Sequence, residues 1–186
     1  MRTPPTAALA SHRTPLGPLT LAATDDALVL CAFDDREQAV ARLTRAGLAA
    51  VDADTAGPGR LRIIEETGRQ VDAYLEGRSR AFTVPVDLRL ATPFSCTTVE
   101  RLDSLLPYGV TGTYAELAAA LGRPRAARAV GTALGANPLC VVLPCHRVVG
   151  AGGRLTGYAG GVTAKRFLLD LESGGTPRPP AEPAGA

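Results

Sequence analysis

No uninterrupted apolar run in the 186-residue chain reaches the roughly eighteen residues a membrane-spanning helix requires, which excludes a membrane span. The opening MRTPPTAALASHRT holds two prolines and no sustained apolar stretch, so no secretory signal is expected. Neither a C-x-x-C nor an H-x-x-x-H pair occurs, and His12 and His146 are the only histidines. A conventional metal centre is therefore not expected; a zinc site would have to be built from His12, Cys31 and distant ligands. Four cysteines (Cys31, Cys96, Cys140 and Cys145) without an export signal point to free thiols in the cytoplasm, with two disulfides as the alternative. Acidic residues are missing from Leu117 to Leu169, a stretch that carries Arg123, Arg125, Arg128, Arg147, Arg154, Lys165 and Arg166. The first ninety residues hold eleven arginines against twelve acids and are close to neutral. A basic second half suggests an anionic partner, nucleic acid foremost. A solvated basic face without a partner remains the alternative.

With 46% hydrophobic and 20% charged residues, the composition is globular, and the length suits one ordinary domain or two small ones. From Pro15 to Phe33, apolar residues bunch around Gly17-Pro18 and Asp25-Asp26, which predicts short strands in a meander. Helices are expected from Asp35 to Leu48 and from about Leu61 to Glu76, where Ile64, Val71 and Leu75 share a face. Phe82 to Val86 reads as an edge strand, because Pro85 has no amide to donate. Residues 87 to 92 would link residues 1–90, an N-terminal structural domain, to a second domain over 91–172, followed by a disordered Pro/Gly-rich tail, 173–186. Val99, Leu102, Leu105 and Leu106 predict one amphipathic helix. Thr113-Tyr-Ala-Glu116 is a capping box opening a helix from Tyr114 to about Leu121. Pro124 would occupy the first position of the next helix, ending near Leu134. Two short helices across a tight turn form a helix-turn-helix candidate, although most such pairs are packing units.

Leu139 to Pro144 is a short apolar run, expected to be buried and extended, which delivers Cys145-His146-Arg147 directly after a proline. A thiol with its ordinary pKa near 8.5 is mostly protonated at neutral pH, and a neighbouring base raises the thiolate fraction that acts as nucleophile. Adjacent residues on a strand point to opposite faces, so contact between Cys145 and His146 needs a turn or a bridging water. The dipeptide alone equally describes a structural cysteine beside a surface histidine.

Pro144-Cys145-His146-Arg147-Val148 does not stand alone. Together with Tyr108-Gly109, Thr113-Tyr114, Arg125-Ala-Ala-Arg128-Ala-Val-Gly131, Asn137-Pro138 and Gly157-Tyr158-Ala-Gly-Gly161, it resembles the O6-alkylguanine-DNA alkyltransferase family. The resemblance covers about residues 92 to 172, and reaches the first ninety only through Pro15-Leu-Gly-Pro-Leu-Thr20. It implies an α+β chain: an N-terminal sheet with flanking helices, ribonuclease-H-like, and a C-terminal helical, winged-helix-like domain with a helix-turn-helix. It also implies direct reversal of O6-alkylguanine, and of O4-alkylthymine, in double-stranded DNA bound from the minor groove by a monomer. The alkyl group moves irreversibly to Cys145, once per molecule, with no cofactor and no metal. By resemblance, His146 is the base, Glu172 on a helix from Thr163 orients it, Asn137 braces the turn, and Tyr114 crowds the target phosphate and donates a proton to the departing base. Arg128 would fill the stack behind the flipped nucleotide. Ala127 and its small neighbours would let the helix enter the minor groove. Arg123, Ala115, Ser95 and Ala151 would meet the strand, and Tyr158, Val148 and Ala159 would line the guanine pocket.

The chain departs from the family pattern twice. Glu100 follows Val99 where relatives often carry tryptophan, and Cys140 stands in a proline-rich approach to the reactive cysteine. These departures leave room for an alkyl acceptor in self-resistance or specialised metabolism. A non-catalytic lesion-binding protein would lack Cys145, and a cysteine hydrolase would need an oxyanion hole that no motif here supplies.

Overall fold

The computed structural model describes residues 4–175, so most of the expected disordered tail lies outside the described residues. The N-terminal half is a four-stranded sheet in the order β3-β2-β1-β4, made of β1 (Thr6–His12), β2 (Leu19–Ala23), β3 (Leu28–Ala32) and β4 (Ala49–Asp52). β1 to β3 form the antiparallel meander, and β4 returns parallel to β1. Two of these strands were not expected from the sequence. β1 is built largely of alanine (TAALASH), and β4 (AAVD) is half-buried. Alanine has little strand preference of its own, so burial between neighbours fixes these strands rather than propensity.

Helix α1 (Arg36–Arg45) opens on Asp35, whose side chain accepts from the Gln38 amide in a capping box, and α2 (Pro58–Leu75) carries proline in its first turn. The two helices cover opposite faces of the sheet. Ala7, Leu9, Ala22, Leu30 and Ala32 pack with Ala39 and Leu43 of α1. Ala8, Leu19 and Leu21 pack with Ile63, Ile64, Val71 and Tyr74 of α2. That second layer also takes in Leu139, Val141, Ala164, Phe167 and Leu168, so one apolar core joins the two halves of the chain.

Residues 82–86 do not form the expected strand. Val86 makes a single parallel bridge to Leu28, whose amide donates to the Pro85 carbonyl while Asp87 donates to Leu28. Proline thus offers only its acceptor to the β3 edge. Further along that edge, the Cys31 amide donates to the Pro138 carbonyl at 2.8 Å. An exposed edge is thereby covered by two segments of the same chain.

The C-terminal half is helical. The single helix expected over 99–106 is two: α3 (Pro93–Glu100), capped by Thr92, and α4 (Leu102–Leu105). The Thr92-Pro93 start signal places α3 earlier than its apolar spacing suggests. Thr113 and Glu116 form the predicted capping box of α5 (Tyr114–Ala120), and α6 (Ala127–Gly135) packs on α5. Pro124 does not open α6; it sits in a turn closed by the Ala126 amide donating to Arg123. The short strands β5 (Gly112–Thr113) and β6 (Val148–Val149) pair in parallel, and α7 (Gly161–Glu172) closes the unit. Among the described residues no helix is long and apolar enough to cross a membrane.

Gly109, at the turn after α4, has φ +80°, and a Cβ there would lie 2.9 Å from the Glu172 backbone carbonyl oxygen. Gly109→Ala is expected to cost about 1–3 kcal/mol in urea denaturation. An unchanged midpoint and slope would show that this turn tolerates a side chain.

Candidate functional site

The residues from Asn137 to Arg147 form a folded turn, not the extended run expected. Asn137 is buried and bridges it, donating from Nδ2 to the Leu143 carbonyl and accepting from the Leu139 amide, at 3.1 and 3.0 Å. Val141 has φ 70°, a conformation that a β-branched residue rarely adopts and that costs on the order of 1–3 kcal/mol. The turn ends in a short 3-10 segment, Cys145–Arg147, all of it buried. This tight winding places Cys145 and His146 side by side in one buried turn, with no direct hydrogen bond between thiol and imidazole.

Glu172, at the end of α7, is the hub. Its Oε1 accepts from His146 Nε2 at 2.5 Å and from the Tyr74 hydroxyl. Its Oε2 accepts from Arg147 Nε at 2.8 Å and from the Gly109 amide at 3.0 Å. Burial alone would raise the Glu172 pKa, but the bonds from His146, Gly109 and Tyr74 bring it down to about 2. Burial holds the His146 imidazole below its ordinary pKa despite the adjoining carboxylate, so it is neutral at pH 7. With Nε2–H committed to Glu172, Nδ1 carries the lone pair, and Nδ1 is buried with no partner.

The Cys145 thiol lies below its ordinary pKa. The neighbouring Cys140 thiol is the largest cause, opposed by burial and assisted by Asn137 and the Lys165 charge. Lys165, on α7, is buried and donates to the Val148 carbonyl at 2.6 Å. Cys140 is pushed the other way, well up, by the same contact and by burial. Cys31, buried in the sheet, is pushed up to about 12 by burial alone. The four cysteines are free thiols, as expected.

Cys145, His146, Glu172 and Asn137 are therefore brought together, while the other expected site residues spread around them. The Tyr158 hydroxyl is buried without a partner, and its ring stands 6.3 Å from that of His146. Val148 is buried in β6, whereas Ala159 is exposed. Tyr114 hydrogen-bonds Thr156 at 2.8 Å and lies beneath Gly131 of α6, where a Cβ would meet its ring at 3.6 Å. Arg128, Arg123, Ala115 and Ala151 are exposed, and Ala127 is half-buried. The Arg123 guanidinium lies 5.1 Å from the centre of the Phe94 ring. Ser95 departs from expectation: it is fully buried, donates to the Ala133 carbonyl, and has no exposed surface to meet a strand.

Sequence reasoning missed Tyr74, Arg147 and Lys165 as members of the centre, and missed the partnership of Cys140 with Cys145. Only Lys165 left a signal. Lys165, Leu168 and Glu172 fall at i, i+3 and i+7, so a lysine and a glutamate share the apolar stripe of α7. Among the described residues, no group of three or more His, Cys, Asp or Glu could hold a metal ion.

The comparisons with known proteins identify the family. Residues 9–88 match the profile of the 6-O-methylguanine DNA methyltransferase ribonuclease-like domain, and residues 95–174 that of the 6-O-methylguanine DNA methyltransferase DNA binding domain. A methylated-DNA–protein-cysteine methyltransferase of Methanosarcina acetivorans is 36% identical over 88% of this chain and 96% of its own length. The chain belongs to the 6-O-methylguanine DNA methyltransferase family. A relative of the same name from Mycobacterium tuberculosis is 48% identical over 58% of this chain and 64% of its own. Among solved structures, Mycobacterium tuberculosis OGT in complex with DNA superposes with a TM-score of 0.71 at 37% identity, covering 88% of this chain and 91% of that one. The Pyrococcus kodakaraensis O6-methylguanine-DNA methyltransferase gives 0.65 at 26% identity, over 90% and 99%. The α+β architecture is thus that of the methyltransferase family.

Three outcomes follow from this geometry. Glu172→Gln weakens the partner of a buried guanidinium and is expected to cost about 3–5 kcal/mol in thermal or chemical denaturation; a cost below 1 kcal/mol would mean that Asp103 and the Leu106 carbonyl suffice for Arg147. Cys145 should react with iodoacetamide at lower pH than the other thiols, with Cys31 inert under native conditions. Cys140→Ala removes the largest lowering influence, so its Cys145 profile should move to higher pH; an unmoved profile would exclude the thiol–thiol contact as the cause.

Proposed function

We propose that this chain repairs alkylated DNA by direct reversal, moving the alkyl group of O6-alkylguanine, and of O4-alkylthymine, onto Sγ of its own Cys145. The observation that carries the reading is a buried turn in which a thiol held below its ordinary pKa adjoins an imidazole whose Nδ1 is unpartnered and whose Nε2 is held by Glu172. The Cys145 proton passes to His146 Nδ1 through one bridging water. The thiolate attacks the alkyl carbon, the carbon–O6 bond breaks as the carbon–sulfur bond forms, and the base leaves with the bond's electrons and takes up a proton. Tyr114 supplies that proton, and Asn137 holds the turn. The product is a thioether with no good leaving group, so the protein acts once. No step calls for a cofactor, because the lesion supplies the alkyl group.

A base stacked in a duplex cannot reach a buried sulfur, so the nucleotide is flipped out. Residues 91–172 bind DNA through α5 and α6, and residues 1–90 hold the reactive turn from behind. Exposed Arg128 on α6 enters the stack, its neighbour Ala127 admits the minor groove, and Arg123, Ala115 and Ala151 meet the strand. Val148, the Ala159 backbone and Tyr158, with its unpartnered hydroxyl, receive the extruded purine. Free thiols fit a cytoplasmic setting.

Incubation with a duplex bearing radiolabelled O6-methylguanine should move one methyl per protein to Cys145, and Cys145→Ala should bind the duplex without accepting label. Label remaining on DNA overturns the proposal, and label released as methanol points to a hydrolase. Arg128→Ala should slow repair in duplex at least tenfold more than reaction with free O6-benzylguanine; equal losses on both would remove its part in flipping.

A further inference from the structure

The donors that surround Glu172 do not come from one part of the chain. His146, Arg147 and Gly109 belong to the C-terminal half, while Tyr74 comes from the last turn of α2, ninety-eight residues away. Tyr74 is 1% exposed and is wedged between the rings of Phe82 and Tyr108, at 5.0 and 5.9 Å between centroids, so its hydroxyl has one direction to point. It donates to Oε1, the same oxygen that takes His146 Nε2–H.

We propose that Tyr74 is a positioning residue for alkyl transfer: by sharing Glu172 Oε1 with the imidazole, its hydroxyl limits the negative charge available to His146 and keeps Nδ1 free to accept the Cys145 proton. This rests on the reading of Cys145 and His146 as nucleophile and base. A carboxylate oxygen that already accepts one short hydrogen bond is a poorer partner for a second cation. In a dry site that difference is not absorbed by water. The other groups that face the imidazole and its carboxylate are Arg147 and Cys145 beside it, Lys165 and Glu172 on α7, Tyr158 from the following loop, Tyr108 and the Gly109 amide before β5, and Asp103 of α4 through Arg147. Arg147 and Lys165 both disfavour an imidazolium, and Glu172 favours it. Tyr74 is the neutral group that moderates the favouring partner. Burial and the carboxylate keep its phenol protonated across the working pH range, so it donates throughout.

The test is Tyr74→Phe, which keeps the ring and removes the donor. The chain has two histidines, so imidazole NMR of the full-length protein reports His146 directly. His12, hydrogen-bonded at 2.8 Å to Asp72 on the same helix, serves as internal control for the packing of α2. The variant should shift the His146 titration upward by half a pH unit or more, leave His12 in place, and move the acidic limb of O6-benzylguanine transfer upward by the same amount. On the acidic limb the rate should fall about threefold, and the plateau above the limb should match the wild type. An unmoved His146 titration with a normal His12 signal overturns the inference, as does a uniform loss of rate at every pH, which is the mark of a structural role. If His12 also shifts, Tyr74→Trp, which retains an N–H donor, decides: rescue of the His146 titration sustains the inference, and failure ends it. Because the titration needs no alkyl transfer, a protein that never accepts label would fail as a repair protein without bearing on Tyr74.

Discussion

A single buried carboxylate organises this molecule. Removing Glu172 from water costs several kcal/mol, and the structure offsets that cost with four donors from three segments of the chain. Each donor is thereby fixed. Arg147, also tied to Asp103 and to the Leu106 carbonyl, anchors the 3-10 segment that holds Cys145. The Gly109 amide ties down the turn before β5, and His146 is locked in one tautomer. Order in the reactive turn is thus a consequence of satisfying one charge.

The same turn is held from the opposite side by the sheet. The Cys31 amide donates to Pro138, Asn137 bridges Leu139 and Leu143, and the apolar core continues from β2 through Leu139 and Val141 into α7. Val141 sits in a left-handed conformation within this framework. Strain of that kind persists only where surrounding contacts over-determine the backbone. It is what converts an apolar run into the bend that leads into the buried Cys145–Arg147 segment.

This accounts for what the sequence made legible. The capping box at Thr113 and the two helices that flank the sheet are local, and local rules found them. Cys145, His146, Glu172 and Asn137 were found through a run of motifs and are brought together in space. Features that depend on distant neighbours were not legible. β1 is an alanine-rich strand that only burial makes a strand. The turn at 139–144 looks extended because its apolar residues face the core on both sides. Tyr74 is one aromatic on an amphipathic helix, indistinguishable from a core residue until the end of α7 arrives beneath it. Ser95 shows the converse: matching a position by resemblance did not reveal that its hydroxyl is spent on Ala133.

The contrast between Cys31 and Cys145 shows why the reactive thiol needs such elaborate support. Both are buried, and burial raises both; in the sheet nothing opposes it and the thiol stays protonated at neutral pH. At residue 145 the Cys140 thiol, Asn137 and the Lys165 charge together outweigh the same penalty. Lowering a thiol's pKa sacrifices some intrinsic nucleophilicity, but only about half as steeply as it raises the thiolate fraction when that fraction is small. A modest depression is therefore favourable, and a deep one would not be. Lys165 lies below its ordinary pKa through burial, and its Nζ is already spent on Val148, so its charge is felt at the sulfur without forming a tight ion pair. The centre is poised between an inert buried thiol and a fully ionised, poorly nucleophilic one, and what holds it there is a set of neutral and partly compensated donors, not a single strong cation.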